Sequence, residues 1–172
     1  MAKEITANRF EWAASIIAPS PDDQILEIGT GTGILAALIA PALQSGHLTA
    51  IDSSAAMINK AIKKNRSFVS NGKLTLHAKA FSELPFNRTF NKVVAFNVNI
   101  FRKPKEKELM LLRSILLPEG RLFVFYQTPS GIDKNLMARI EAAMTSHGFM
   151  IQDSRIEEKD PVRSFCLIAA PV

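Results

Sequence analysis

The sequence predicts an α/β fold in which a mainly parallel sheet is covered by helices on both faces. Short apolar strands alternate with amphipathic helices along all 172 residues, and no repeat or change of composition marks a linker. The segment 92–99 is apolar on both faces until its end, which is typical of a strand inside a parallel sheet. A chain of this length suits one core, so we expect a single domain over residues 1–172.

The first half of the chain is predicted as three strands with helices between them. A short helix over Asn8 to Ile17 ends before a pair of prolines, and glycines after the first strand lead into a helix that Pro41 disturbs. Asn71 and Gly72 bound the third strand. The predicted strands are 24–28, 47–52 and 73–80, and a further helix is expected at 54–65.

The second half is predicted as four strands and two helices. Pro118 and Gly120 stop the first helix, Asp133 caps the second, and Gly148 ends it. About three residues join the last two strands, too few for a parallel crossover, so one antiparallel strand is expected at the sheet edge. The strands are 92–99, 121–127, 149–158 and 162–170, and the helices are 105–117 and 134–147.

Composition and charge limit the class of protein. Apolar residues make up 47% and charged residues 22%, as in folded soluble proteins. No run approaches the ~20 apolar residues of a membrane span, and charges interrupt the N-terminal segment, so we expect a cytoplasmic protein without membrane contacts. Cys166 stands alone in an apolar stretch and is expected in the core, and the sequence predicts no metal site.

Three glycines, Gly29, Gly31 and Gly33, lie between the first strand and the next helix. Such a turn presents backbone N–H groups, and a ligand can approach it because no side chain intervenes. Tight packing of the strand against the helix is the alternative reason for glycine. Ile34 replaces the third glycine of the dinucleotide pattern, and Glu27 at the strand end favours a ligand with positive charge over a pyrophosphate.

Asp52 ends the second strand, and it is therefore expected beside the glycine turn in a parallel sheet. A carboxylate at this point accepts hydrogen bonds from both hydroxyls of a ribose. The alternative is that Asp52 caps the following helix. Glu27 and Asp52 together favour a nucleoside that carries positive charge.

The motifs, in this order, resemble the class I S-adenosylmethionine-dependent methyltransferases over nearly the whole chain. The segments that carry the resemblance are ILEIGTGTG, AIDSSAAMINKA, SELPF, FNKVVAFNVNIF and LLRSILLPEGRLFVFYQ. The resemblance implies a Rossmann-like, seven-stranded sheet and S-adenosylmethionine as the cofactor. It also implies a cofactor site formed by Gly29, Gly31, Gly33, Glu27 at the amino-acid end, Asp52 at the ribose, Met57 near the adenine, the backbone near Phe81, and Asn97. A core position is the alternative for Met57.

One departure from the family pattern leaves the recognition of adenine open. Lys79 and Ala80 stand where relatives often carry an acid that receives the adenine amino group. The fourth strand ends without the N-P-P-Y motif of amino-group methylation, and the three histidines are expected in structural roles. No catalytic residue is assigned. Asn97 and Asn99, expected on one strand face, and Tyr126 are candidates to orient the substrate.

The methyl acceptor is predicted to be a small molecule. RNA is the alternative acceptor, and a domain that binds the cofactor or a partner without turnover is the alternative outside enzymes. The net charge of +5 suits an anionic partner, and the basic segment 102–107 is expected either to attract an anionic substrate or to solvate a helix start. The N-terminal helical segment at 1–23 is one candidate lid, and a second subunit of a homo-oligomer or a large substrate would also cover the site.

Overall fold

The computed structural model of the chain describes residues 2–83, 89–128, 132–159 and 162–172. The described residues contain seven β-strands and seven α-helices. The fold class is the predicted one, a Rossmann-like, seven-stranded and mainly parallel sheet with helices. The chain divides into two compact units at residues 1–85 and 86–172, which are described in turn. The single domain over 1–172 stays a prediction.

Three parallel strands form the sheet of the first unit. These strands, β1 (Gln24–Ile28), β2 (His47–Asp52) and β3 (Leu74–Ala78), lie in the order β3-β2-β1. Ile28 at the end of β1 lies opposite Ile51 near the end of β2. Because parallel strands end at the same edge of a sheet, the turn after β1 lies beside the turn after β2.

Four helices complete the first unit, namely α1 (Ala2–Ile17), α2 (Ile34–Ile39), α3 (Ala55–Lys64) and α4 (Arg66–Ser70). The helix α1 begins before the predicted Asn8 and packs on α2. A 3-10 turn follows α2 at Pro41, as predicted, because proline cannot continue the hydrogen-bond pattern of a helix. The short helix α4 was not predicted, since the pattern of apolar residues ends with α3 and the chain turns at Asn65.

Four strands form the sheet of the second unit. β4 (Phe90–Phe96) and β5 (Leu116–Thr128) are parallel. β7 (Val162–Pro171) lies between β5 and β6 (Phe149–Lys159) and runs antiparallel to both. The predicted antiparallel strand is therefore confirmed as β7, and β6 lies outside it. β5 begins earlier than predicted because its first residues already pair with β4, before a break in the register.

The helices of the second unit are α5 (Asn99–Arg102), α6 (Glu106–Ile115) and α7 (Lys134–Thr145). The predicted cap of α7 is confirmed, since the Asp133 carboxylate accepts a hydrogen bond from the Leu136 N–H at 2.9 Å. Cys166 is fully buried, as predicted, and burial raises the pKa of its thiol. Among the described residues of the whole chain, no helix is both long enough and apolar enough to cross a membrane.

Candidate functional site

The turn after β1 is held against the end of β2 by backbone hydrogen bonds. The N–H groups of Gly29 and Thr30 both donate to the Ile51 carbonyl, at 2.8 and 2.9 Å. Gly29, Gly31 and Gly33 have φ angles of 74°, 54° and 72°, in the left-handed region that side chains disfavour. Glycine is therefore needed at each position by the backbone itself, before any ligand is considered.

Gly31 and Gly33 differ in what surrounds them. A Cβ atom added to Gly31 would meet no atom within 4 Å, so the surface above this peptide is open. A Cβ atom on Gly33 would lie 2.6 Å from Asn65 Nδ2 and 2.9 Å from the Ala61 Cβ. Close packing against α3 therefore accounts for Gly33, whereas the space beside Gly31 is open, and a ligand contact there stays a prediction.

Asp52 connects the glycine turn to the start of α3. Its Oδ2 accepts a hydrogen bond from the Gly31 N–H at 2.9 Å, and its Oδ1 accepts one from the Ser54 N–H at 2.9 Å. Ser54, rather than Asp52, is the residue that caps α3, since its Oγ accepts from the Met57 N–H at 3.4 Å. Met57 lies in the first turn of α3 and is half-buried, so the alternative of a core position does not describe it.

Glu27 is a buried carboxylate at the end of β1, with only 3% of the residue exposed. Thr30 folds back over the turn and donates its hydroxyl to Glu27 Oε2 at 3.0 Å. Burial raises the pKa of Glu27 to about 7, and the charge of Asp52 adds to this rise while the Thr30 hydrogen bond opposes it. Near neutral pH the Glu27 carboxyl is therefore partly protonated, and a cation bound beside it would lower its pKa and favour the ionised form.

The segment after β3 lies in part outside the described residues, which exclude the motif residues Leu84–Phe86. The two positions that lack the expected acid are Lys79, which is exposed, and Ala80. Phe81 is buried at the start of a 3-10 turn. The Glu83 carboxylate accepts a hydrogen bond from the Ala80 N–H at 2.8 Å, so an acid four residues after Lys79 turns back to this segment.

In the second unit, Asn97 departs from the predicted strand. β4 ends at Phe96, and Asn97 takes a left-handed φ of 55°, which asparagine tolerates better than most residues. Its N–H donates to the Phe125 carbonyl and its Oδ1 accepts from the Gln127 N–H, both at 2.9 Å. Asn99 is the first residue of α5. The expectation that Asn97 and Asn99 share a strand face was therefore wrong, although both are exposed.

Tyr126 is fully buried in the second unit, and its hydroxyl donates to the Val98 carbonyl. The Arg102 guanidinium lies over the ring, 5.2 Å from its centroid. Burial raises the pKa of Tyr126 to about 12, although the nearby Arg102 opposes the rise. A role of Tyr126 in orienting a substrate stays a prediction. Its contacts include the backbone after β4, the exposed Arg102 and the ring of Phe165, whose centroid lies 5.7 Å from its own.

Sequence reasoning missed two residues of the first unit that hold the glycine turn, Thr30 and Asn65. Thr30 was detectable as a hydroxyl three positions after a buried acid, whereas nothing local distinguishes Asn65 from the basic residues around it. His47, for which a structural role is expected, contacts the Gly72 carbonyl and the Thr75 hydroxyl through its ring, both at 2.9 Å.

Comparison with known proteins identifies a family. A family model described as a methyltransferase domain matches residues 25–120. The curated protein YrhH of Bacillus subtilis (strain 168), whose name assigns it to the methyltransferases, is 32% identical over 113 residues, which make up 64% of this chain and 61% of the relative. The match therefore spans less than two thirds of the length of that relative.

Solved structures share the fold. Magnesium protoporphyrin IX methyltransferase (ChlM) from Synechocystis PCC 6803, solved with bound SAM, matches with a TM-score of 0.72 at 18% identity, over 99% of this chain and 80% of that one. The [4+2]-cyclase SpnF matches with a TM-score of 0.78 at 13% identity, over 96% of this chain and 81% of that one. At such identities the likeness concerns the fold alone.

The raised pKa of Glu27 leads to a prediction about stability and pH. Between the ordinary value of 4.5 and about 7, the folded state binds more protons than the unfolded state, so the free energy of unfolding falls as the pH rises. Glu27→Gln removes this pH-dependent fall in unfolding free energy, because glutamine does not titrate. Relative to the parent, the variant should gain about 3 kcal/mol in unfolding free energy between roughly pH 4 and pH 8, as measured by urea unfolding.

The control for this comparison is Glu119→Gln, which removes an exposed carboxylate. Its stability relative to the parent should stay nearly constant over the same pH range. A Glu27→Gln variant whose stability difference is equally constant would contradict the raised pKa.

Proposed function

Because this chain belongs to the class I S-adenosylmethionine-dependent methyltransferases, we propose that it transfers the methyl group of S-adenosylmethionine to a small anionic acceptor. The observation that carries the proposal is the open backbone of Gly31, whose N–H donates to Asp52 and whose neighbour Thr30 donates its hydroxyl to Glu27. An open peptide in a turn that bonds two carboxylates suits a ligand that is both bulky and cationic.

The donors and acceptors of the first unit fit such a cofactor. Each carboxylate oxygen of Asp52 accepts one backbone hydrogen bond, which leaves acceptor capacity on both oxygens for the two hydroxyls of a ribose. Glu27 supplies a buried negative charge for the ammonium of the amino-acid end. The half-buried Met57 offers an apolar and polarisable surface for the adenine.

S-adenosylmethionine supplies an activated methyl group on a sulfonium, so the protein mainly aligns the acceptor and excludes water. No general base is assigned in this proposal. The residues of this chain hold the cofactor by its ribose and its charged end, and the acceptor provides the nucleophile. Methyl transfer to an acceptor that ionises readily needs no strong base from the protein.

Basic residues of the second unit support an anionic acceptor. Arg102 is exposed but held over the buried Tyr126 ring, so its guanidinium is partly ordered before any ligand binds. Lys103 and Lys105 follow it and are exposed. Lys103 and Lys105 lie just before α6, where they oppose the helix dipole, which supports a role other than helix stabilisation.

The cofactor assignment predicts selective stabilisation by S-adenosylmethionine or its demethylated product. A ligand present at about 100 times its dissociation constant adds ~2.7 kcal/mol to the unfolding free energy, so a thermal melt should shift upward by several degrees. NAD at the same concentration should leave the melting temperature unchanged. Stabilisation by NAD alone would refute the assignment.

Substitution of Asp52 tests the ribose contact. Asp52→Asn keeps the shape but loses one charged acceptor, and charge-assisted hydrogen bonds of this kind contribute about 1.5 to 3 kcal/mol. Calorimetric titration of the folded variant should therefore show a cofactor affinity about ten- to a hundredfold lower. The matched control is Ser54→Ala, which removes the cap of α3 but not the carboxylate, and should lower stability by about 1 kcal/mol with little change in affinity.

The acceptor class can be identified by labelling. Incubation with methyl-labelled cofactor and fractionated cell extract should place the label in small molecules that an anion exchanger retains. Label in the RNA fraction would support the RNA alternative, and tight cofactor binding without label in any fraction would indicate a binding domain without turnover.

Once the acceptor is known, Arg102→Gln should raise the KM for that acceptor several-fold at low salt, whereas Lys107→Gln, at another exposed position, should not.

A further inference from the structure

Asn65 is a fully buried polar residue between α3 and α4. Asparagine is mostly exposed in folded proteins, and a buried amide is retained only where its hydrogen bonds offset the loss of water. The Asn65 side-chain amide donates from Nδ2 to two carbonyls, those of Gly33 and Ala61, both at 3.0 Å. Its Oδ1 is buried and has no hydrogen-bond partner among the described residues, so only the donor end of the amide is used.

Each of the two carbonyls that the Asn65 side chain contacts also accepts a hydrogen bond from a backbone N–H. The Gly33 carbonyl also accepts the Ala37 N–H at 3.2 Å, and the Ala61 carbonyl also accepts the backbone N–H of Asn65 at 3.0 Å. Loss of the side chain would therefore leave neither carbonyl without a donor. The Asn65 amide is therefore not required to satisfy these carbonyls. Its remaining effect is to fix the position of the Gly33 carbonyl.

Gly33 is the last residue of the glycine turn, and its conformation reaches the candidate cofactor residues through a short chain of contacts. Its N–H donates to the Thr30 carbonyl at 2.9 Å, and the Thr30 hydroxyl in turn bonds Glu27. Between Thr30 and Gly33 lies Gly31, whose N–H bonds Asp52. A shift of the Gly33 peptide would therefore move both the open backbone of the turn and the hydroxyl that holds Glu27.

We propose that Asn65 is a positioning residue for the cofactor, which acts by fixing the Gly33 carbonyl and thereby the glycine turn. The residues fit each other, since the Asn65 amide occupies the space that a Cβ atom on Gly33 would need. The proposal rests on the proposed function, in that it takes the turn to bind S-adenosylmethionine. Asn65 itself is buried beneath the turn and contacts its backbone.

The test uses Asn65→Ala, and Ile58→Val as a control that removes a buried methyl group from α3 and keeps every hydrogen bond described for the turn. The first measurement is amide hydrogen exchange of Gly31 and Gly33 without ligand. Exchange at these amides should accelerate in Asn65→Ala and not in Ile58→Val at matched global stability. Equal exchange in both variants would overturn the proposal, whether or not the parent binds S-adenosylmethionine.

The second measurement is the dissociation constant of S-adenosylmethionine at a temperature where every variant is folded. Loss of a single positioning hydrogen bond should weaken binding about three- to tenfold in Asn65→Ala and leave Ile58→Val unchanged. Faster exchange with unchanged affinity would overturn the positioning role. A parent that does not bind the cofactor would refute the proposed function, and the exchange data alone would then decide whether Asn65 holds the turn. If Asn65→Ala does not fold, Asn65→Ser, which keeps a hydroxyl donor, should give the same direction with smaller changes.

Discussion

The Ile51 carbonyl, which accepts the N–H groups of both Gly29 and Thr30, is the contact on which the geometry of the first unit depends. It joins the turn after β1 to the end of β2, so that Asp52, the next residue, meets the Gly31 N–H. The same turn directs the Thr30 hydroxyl back to Glu27. One accepting oxygen at the edge of a parallel sheet thus brings two carboxylates to a single short segment of backbone.

The electrostatics of this arrangement oppose the stability of the folded state. Glu27 is removed from water beside a second carboxylate, and both effects disfavour its charge. The glycines add a cost, because their freedom in the unfolded chain is lost on folding. Local features that oppose stability tend to occur where a protein binds or reacts, and here they coincide in one turn. The second unit shows no such accumulation at Tyr126, whose polar group is satisfied by the backbone.

The parts of the fold that the sequence predicted correctly are those governed by local patterns. β1, β2 and the cap of α7 follow from apolar runs, glycines and an aspartate at the right offset. Asn97 was misjudged because its left-handed turn depends on a neighbouring strand, which supplies the partners for its side chain and N–H. Asn65 was missed for the same reason, since its amide serves a carbonyl more than thirty positions earlier. Neither asparagine stands in a local pattern that points to its distant partner, whereas Asp52 was recognisable because it ends a predicted strand.

The position of β7 between β5 and β6 has a consequence for the order in which the second unit is assembled during synthesis. β6 leaves the ribosome before β7 and stays unpaired until β7 follows it, when the two consecutive strands form a hairpin. β5 likewise offers an unpaired edge until the same late segment arrives. The pairing of β5 with β7 spans α7 and β6 in sequence and is therefore slow, so the nascent chain presents the exposed edge of β5 until β7 emerges.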